Sequence, residues 1–307
     1  MNFLKSPKPP KPPPLPNRDF HFIPIPNTPA HPPPLTLTHT TTWTYCGPLL
    51  PISNPPATPT ATSLPPTFHT WCAHTLTPTS APHLLPLLTP LLHAIHTFLR
   101  QHHRQHYWLT LRATQPTDTF DTPRWHADDD FFDPARSDAA RGRWKLCATL
   151  QGPGTLFAVE GGRARGVLRR VKEKGRRAER ERPHVCPGVR CVACGRTSEV
   201  VREEVRVGLE REGVRVVQPG SGEMVFFRLG GREGAVHSEP RIDCDRVFVN
   251  VVPGTEEELR GLMGRWGMGF PRSWSLGVPM VVGGEGGGED GDREDGDGEE
   301  ADGMVKV

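Results

Sequence analysis

The strongest constraint on this chain is a series of short apolar runs cut apart by glycine and proline. YWLTLRAT (107–114), WKLCATLQG (144–152), GEMVFFRLG (222–230), GAVHSEPR (234–241) and DRVFVNVVPG (245–254) are eight to ten residues long. They are rich in β-branched and aromatic residues and end in turn formers, so each reads as a strand. EEVRVGLE (203–210) and GVRVVQPG (213–220) read the same way. In 107–114, alternation puts Trp108, Thr110 and Arg112 on one face and Tyr107, Leu109 and Leu111 on the other. One helical pattern precedes the series. After Pro90, Leu91, Leu92, Ile95, Phe98 and Leu99 form a stripe at helical spacing. EEELRGLMGRW (256–266) reads as a short closing helix. The expectation is an all-β core, a sandwich or jelly roll, with flanking helices.

Composition divides the chain. With 35 Pro, 32 Gly and 35% hydrophobic residues in 307, a packed core is expected in only part of it. The first hundred residues hold one acidic residue, Asp19, amid Pro, Thr, Leu and His; beyond about residue 150 Gly, Arg, Glu and Val dominate. C-rich codons encode the first set and G-rich codons the second. Nucleotide bias therefore accounts for much of the shift, and the excess of His and Pro is not in itself a functional signal. Residues 1–35 are expected to be a disordered proline-rich tail, whose KPPKPPPLP fits an SH3-type partner as polyproline II. Residues 36–282 are expected to form a single domain, with 36–83 wrapping it as irregular chain and short strands. A basic insertion at 161–199 interrupts it, read as a solvated surface element with a phosphate-binding patch as the alternative. Residues 283–307 are an acidic, glycine-rich tail expected to be disordered.

Seven cysteines, four of them scattered (Cys46, Cys72, Cys147 and Cys244), argue against a disulfide framework. His184, Cys186, Cys191 and Cys194 are candidate ligands of a structural zinc, against the alternative of unpaired loop cysteines. No run of about 18 apolar residues is present, and the N-terminus has no apolar core like that of a signal peptide. An intracellular protein away from membranes is expected. A net charge of +2 gives no reason to expect nucleic acid, and a small molecule is the expected substrate.

The chemistry gathers around PRWHADDDFF (123–132). His126 and Asp128, two apart, share a face of an extended chain and can bind one divalent metal together. Asp129 and Asp130 make the carboxylate ambiguous, but regular alternation turns Asp129 away and favours Asp128. His237 in GAVHSEPR is a distant third donor. Two histidines and one carboxylate form the facial triad of non-haem Fe(II) oxygenases, which leaves coordination positions open for a co-substrate and dioxygen. A 2-oxoglutarate co-substrate needs a cation for its far carboxylate. Arg246, nine residues after His237, is the candidate, with Arg241 as its rival.

The blocks RWHADDDFF, WKLCATLQGPGTLF, QPGSGEMVFFRLG and VHSEPRIDCDRVFV, in that order, resemble the iron(II)/2-oxoglutarate-dependent dioxygenase superfamily in its prolyl-hydroxylase-like branch. They are most similar to a less characterised bacterial and fungal group, and the resemblance spans roughly residues 105–255. It implies a double-stranded β-helix, iron on His126, Asp128 and His237, and Arg246 on the 2-oxoglutarate carboxylate. The implied activity is oxidation, by default hydroxylation, of a small organic metabolite. Pro153-Gly154 stands where the pattern has Gly-Gly, and the basic insertion departs from it. Trp125 and Trp144 line the pocket or fill the core. Two other readings remain: a cupin-like metal enzyme that does not use 2-oxoglutarate, and a non-catalytic jelly-roll binding module.

Overall fold

The computed structural model describes residues 18–29, 31–52, 64–132, 143–181 and 192–279. In chain order the elements are β1 (Phe20–Pro24), β2 (Thr41–Pro48), α1 (Pro66–Thr75), α2 (Ala81–Gln101), β3 (His106–Thr114), β4 (Trp144–Gln151), β5 (Leu156–Ala158), α3 (Gly161–Glu181), α4 (Val192–Arg211), β6 (Val216–Val217), β7 (Glu223–Arg228), β8 (His237–Ser238), β9 (Arg246–Gly254), α5 (Glu256–Gly264) and β10 (Arg272–Leu276). Seven strands form one antiparallel sheet in the order β1-β7-β4-β9-β3-β2-β10, and a small sheet has the order β6-β5-β8.

Alternation divides the large sheet into two unlike faces. Leu109 and Leu111 of β3, Leu146 and Ala148 of β4, Met224 and Phe226 of β7 and Val249 and Val251 of β9 bury one face against α1 and α2. The α2 residues Leu84, Leu87, Leu88, Leu91, Leu92, Ile95 and Leu99 supply the other half of this core. The opposite face carries Thr110 and Arg112 (β3), Lys145, Cys147 and Thr149 (β4), Phe227 (β7), and Arg246, Phe248 and Asn250 (β9). Register confirms the grouping, since Thr110 and Cys147 both pair with Asn250, and Arg112 and Thr149 both pair with Phe248.

Trp144 packs in the helix-side core, 5.4 Å from the rings of both Phe98 and Phe226, and so does not line the polar face. α2 begins at Ala81 and not after Pro90, so Pro86 and Pro90 lie within it. Each internal proline costs about 3 kcal/mol. Burying each leucine or isoleucine returns roughly 1.5–3 kcal/mol, and seven of them outweigh two prolines.

Four other regions differ from the sequence reading. Part of the supposed N-terminal tail is β1, an edge strand paired with β7 through Phe20↔Phe227 and Phe22↔Val225. The region expected to be irregular chain with short strands holds the strand β2 but also a helix, α1, that was not expected. The described part of the basic insertion is helical, α3 and the start of α4, which runs on to Arg211, and EEVRVGLE lies inside α4. Alternating valines suggested a strand there, but Val205 and Leu209, four apart, are the buried pair and Val207 is exposed. Arg206 pairs with Glu203 and Glu210 at helical spacing. Gly208 lets the two helices approach, because a Cβ there would lie 2.6 Å from Val167 Cγ1. α5 was read correctly; its Thr255 and Glu258 form a capping box.

The proline-rich segment KPPKPPPLP, the acidic tail 283–307, and His184, Cys186 and Cys191 lie outside the described residues. Cys194 is in α4, but its side chain is not among those described. No helix among the described residues is long and apolar enough to cross a membrane.

Candidate metal centre

His126 and His237 are joined through the backbone. Each N–H donates to the other's carbonyl at 2.9 Å, an antiparallel bridge that extends the small sheet past β8. β8 in turn pairs with β5 through Phe157↔His237. This bridge explains how residues 111 positions apart in sequence present their rings side by side, with centroids 4.3 Å apart.

Each ring is oriented by its own chain. His126 Nδ1 lies 2.7 Å from the Arg124 carbonyl and His237 Nδ1 lies 3.0 Å from the Ala235 carbonyl. A neutral imidazole that donates from Nδ1 leaves a lone pair on Nε2, the form a metal requires. Both Nε2 atoms face Asp128: His126 is 3.3 Å from Oδ1 and His237 is 3.5 Å from Oδ2. One donor atom from each of the three residues falls within 4.8 Å of the others. Adjacent donors on a six-coordinate ion with bonds of roughly 2.1 Å stand about 3 Å apart, so the set must draw closer together to hold one. Among the described residues this is one group with that arrangement.

Asp128 is buried, its backbone carbonyl accepting from Gly230 N–H at 2.8 Å. Asp129 is exposed, and Asp130 is exposed and paired with Arg143. The three aspartates are thus separated by burial. The site also holds a cation that the sequence reading passed over. Lys145 of β4, only 4% exposed, places Nζ 2.5 Å from Asp128 Oδ2. The ammonium also lies 5.2 Å from the Phe227 ring centroid and 5.5 Å from that of Phe131.

These contacts set the titration of the group. Burial alone would raise the Asp128 pKa, but the His126 hydrogen bond and the charges of Lys145, His237 and His126 hold it well below the usual carboxylate range. Burial opposes protonation of His126, yet the Asp128 hydrogen bond and charge lift its pKa above the usual value. His237 is pushed down to about 4 by burial and by the neighbouring His126 charge. At neutral pH the carboxylate is ionised and His237 is neutral, the states in which both act as ligands.

Arg246 begins β9 on the same face of the sheet. It is 1% exposed, and its Nε donates to the Pro153 carbonyl at 2.8 Å. Its guanidinium lies over the Phe248 ring at 4.6 Å, and Nη2 has no hydrogen-bond partner. Burial lowers its pKa to about 10, which leaves it charged at neutral pH. Gly152, at φ +83°, makes the turn that lets the chain pass this close, since a Cβ there would lie 3.1 Å from Arg246 Cα. Arg241, the rival, is exposed and pairs with Asp121 at 3.4 Å. Two further buried polar atoms lack partners on this face: Thr149 Oγ1 and Asn250 Oδ1. Arg112 pairs with Glu239 at 3.5 Å, two residues beyond His237.

Trp125 does not open onto this face; it is buried with Val167, Leu168, Val205 and Leu209 at the base of α3 and α4. Lys145, which meets Asp128, and Thr149 and Asn250, which share its sheet face, are polar residues that the sequence reading missed. A signal was present in WKLCATLQ, where Trp144, Leu146 and Ala148 alternate with Lys145, Cys147 and Thr149. A lysine inside a strand this apolar needs a buried counter-charge.

No family model matches this chain, and no curated protein matches it. Among solved structures, it is similar to the non-heme iron oxygenase OrfP at 16% identity, covering 50% of this chain and 59% of that one, with a TM-score of 0.24. OrfP in complex with Fe, succinate and (3R,4R)-dihydroxy-L-Arg matches at 17% identity, over 50% and 58% of the two chains, with a TM-score of 0.23. The chain thus spans less than two thirds of the length of these structures.

Proposed function

We propose that this chain is an Fe(II)- and 2-oxoglutarate-dependent oxygenase acting on a small organic molecule. In this reading the two sheets form a double-stranded β-helix. The observation that carries it is the convergence of His126, Asp128 and His237 with both Nδ1 atoms held by backbone carbonyls. That donor set, two imidazoles and one carboxylate on one side of a site, suits Fe(II) with positions left open. Arg246 supports the co-substrate. A buried, charged guanidinium with a free N–H, on the same sheet face as the ligands' neighbour Lys145, is suited to a carboxylate. Thr149 Oγ1 adds a hydroxyl to the same face.

Iron and 2-oxoglutarate together supply oxidative decarboxylation to succinate and carbon dioxide, coupled to oxidation of a substrate C–H bond. The chain's own residues do the rest. His126 and His237 hold the donor geometry through the backbone bridge. Lys145 helps keep Asp128 ionised through their ion pair, and Phe157 and Phe227 exclude water around His237, their ring centroids lying 5.7 and 4.9 Å away.

The test is anaerobic addition of Fe(II) and then 2-oxoglutarate, followed in the visible. A weak charge-transfer band is expected, absent in His126→Ala and weakened in Arg246→Ala. Tight metal binding with no band would replace this reading with the cupin-like one. Failure to bind metal would leave a binding module.

A further inference from the structure

Summed over the chain, the charge is too small to suggest a polyanionic partner. The fold changes this by segregating charge. α3 carries nine basic residues against three acidic ones, Glu173, Glu179 and Glu181. Its apolar positions Ala164, Val167 and Leu168 are buried against Val205 and Leu209 of α4. On the flank of that contact, Arg170 pairs with Glu212 at 2.7 Å and Lys174 with Glu204 at 2.6 Å. The remaining carboxylates of α4 are engaged within their own helix: Glu199 with Arg202, and Glu203 and Glu210 with Arg206.

Arg163 donates to the Glu212 carbonyl and Arg165 pairs with Asp19; Arg177 is left over, and so are four residues in a row, Arg169, Lys172, Arg176 and Arg180. Steps of three, four and four residues align them along one side of the helix, spanning about 17 Å at 1.5 Å per residue. All four are exposed, and none forms an ion pair among the described residues. Glu173, beside the row, is also exposed.

We propose that this row binds the phosphate backbone of a nucleic acid. Four cations in line at steps of roughly 5 Å match a repeating anion better than a single small phosphate ligand. Three of the four are arginines, whose planar fork suits phosphate oxygens. The helix pair that bears them is rooted on Trp125, the residue before His126, and so belongs to the domain and not to a tail. The inference stands on these charges alone and does not depend on the oxygenase reading. The competing occupant is the chain's own segment 283–303, which has ten acidic residues and one arginine.

The experiment is fluorescence anisotropy of the full chain with a labelled 20-base-pair DNA duplex and, separately, a single-stranded RNA of matching sequence, across a KCl series. Binding through four phosphates predicts a slope of log affinity on log salt of about −3.6 for the duplex or about −2.8 for the single strand. The tighter arm identifies the form of nucleic acid bound. Arg169→Glu, Lys172→Glu, Arg176→Glu and Arg180→Glu together are expected to lower affinity by about 100-fold at low salt with an unchanged melting profile. A control with the same charge change, Arg211→Glu, Arg232→Glu, Arg241→Glu and Arg272→Glu, is expected to keep affinity within about threefold. Equal loss in the control would overturn the proposal, because net charge and not the row would then be responsible. Absence of salt-dependent binding by the full chain to either probe would also overturn it, including the case in which the acidic segment holds the row.

Discussion

Phe226 and Phe227 are neighbours on β7, yet they belong to different chemistries. Phe226 faces α2 and packs with Trp144 and Phe98. Phe227 faces the other way, 4.9 Å from the His237 ring and 5.2 Å from the Lys145 ammonium. The same division runs through the large sheet. One face is a largely hydrocarbon layer sealed by two helices, and the polar groups within it pair with one another, Thr41 with Thr75 and Trp71, and His96 with Tyr107. The other gathers Lys145, Thr149, Arg246 and Asn250, three of which bear buried polar atoms without partners. Each such atom costs about 1–3 kcal/mol. The comparison teaches that the helix-side face provides the stability that the opposite face spends on unfinished polar chemistry.

The widest break in that comparison should come from the hydrocarbon side. Phe226→Ala removes a ring that is fully buried and is expected to cost about 3–5 kcal/mol, measured by urea unfolding. The shift in midpoint on adding Co(II), a stand-in for Fe(II), should match that of the parent protein, because no ligand touches this face. A large loss of metal response in Phe226→Ala would show that the two faces are not separable.

Lys145→Met tests the polar side. Removing one partner of a buried ion pair commonly costs about 3–5 kcal/mol, but Asp128 retains His126 at 3.3 Å. A smaller loss, about 2 kcal/mol, is therefore expected in metal-free protein. A divalent ion replaces the missing cation, so Co(II) should stabilise Lys145→Met more than it stabilises the parent. If the metal-free variant melts with the parent, the ion pair contributes nothing and the role given to Lys145 falls.

How much of this division was legible in the sequence follows from which signals are local. β3, β4 and β9 each alternate, β7 is a short apolar run buried on both faces, and their inward apolar sets are the observed core. His126 and Asp128 share a short extended segment, so spacing alone related them; His237 needed the expectation that a distant strand would return. α4 was misread because two valines alternate in EEVRVGLE, and only packing on α3 reveals that Val205 and Leu209 are the buried pair. α2 was begun too late because proline is a local breaker, whereas the burial that overrules it is tertiary. β1 was lost in the tail, since a five-residue edge strand depends on β7 for its hydrogen bonds. Lys145 was passed over because its meaning lies in Asp128, which another element supplies.

The smallest expected effect sharpens the comparison most. Thr149 Oγ1 is buried without a partner, and Thr149→Val removes that hydroxyl at nearly constant shape. On the hydrocarbon face such a change would be trivial. Here it should raise the stability of the ligand-free protein by about 1 kcal/mol, read as a higher urea midpoint with an unchanged slope. The same variant should bind 2-oxoglutarate more weakly, read from the titration of the visible band. Gain of stability with loss of affinity is the signature of a polar atom kept for a ligand. Gain of stability with unchanged affinity would mean that the hydroxyl is an orphan the anion never meets, and the anion site would then narrow to Arg246.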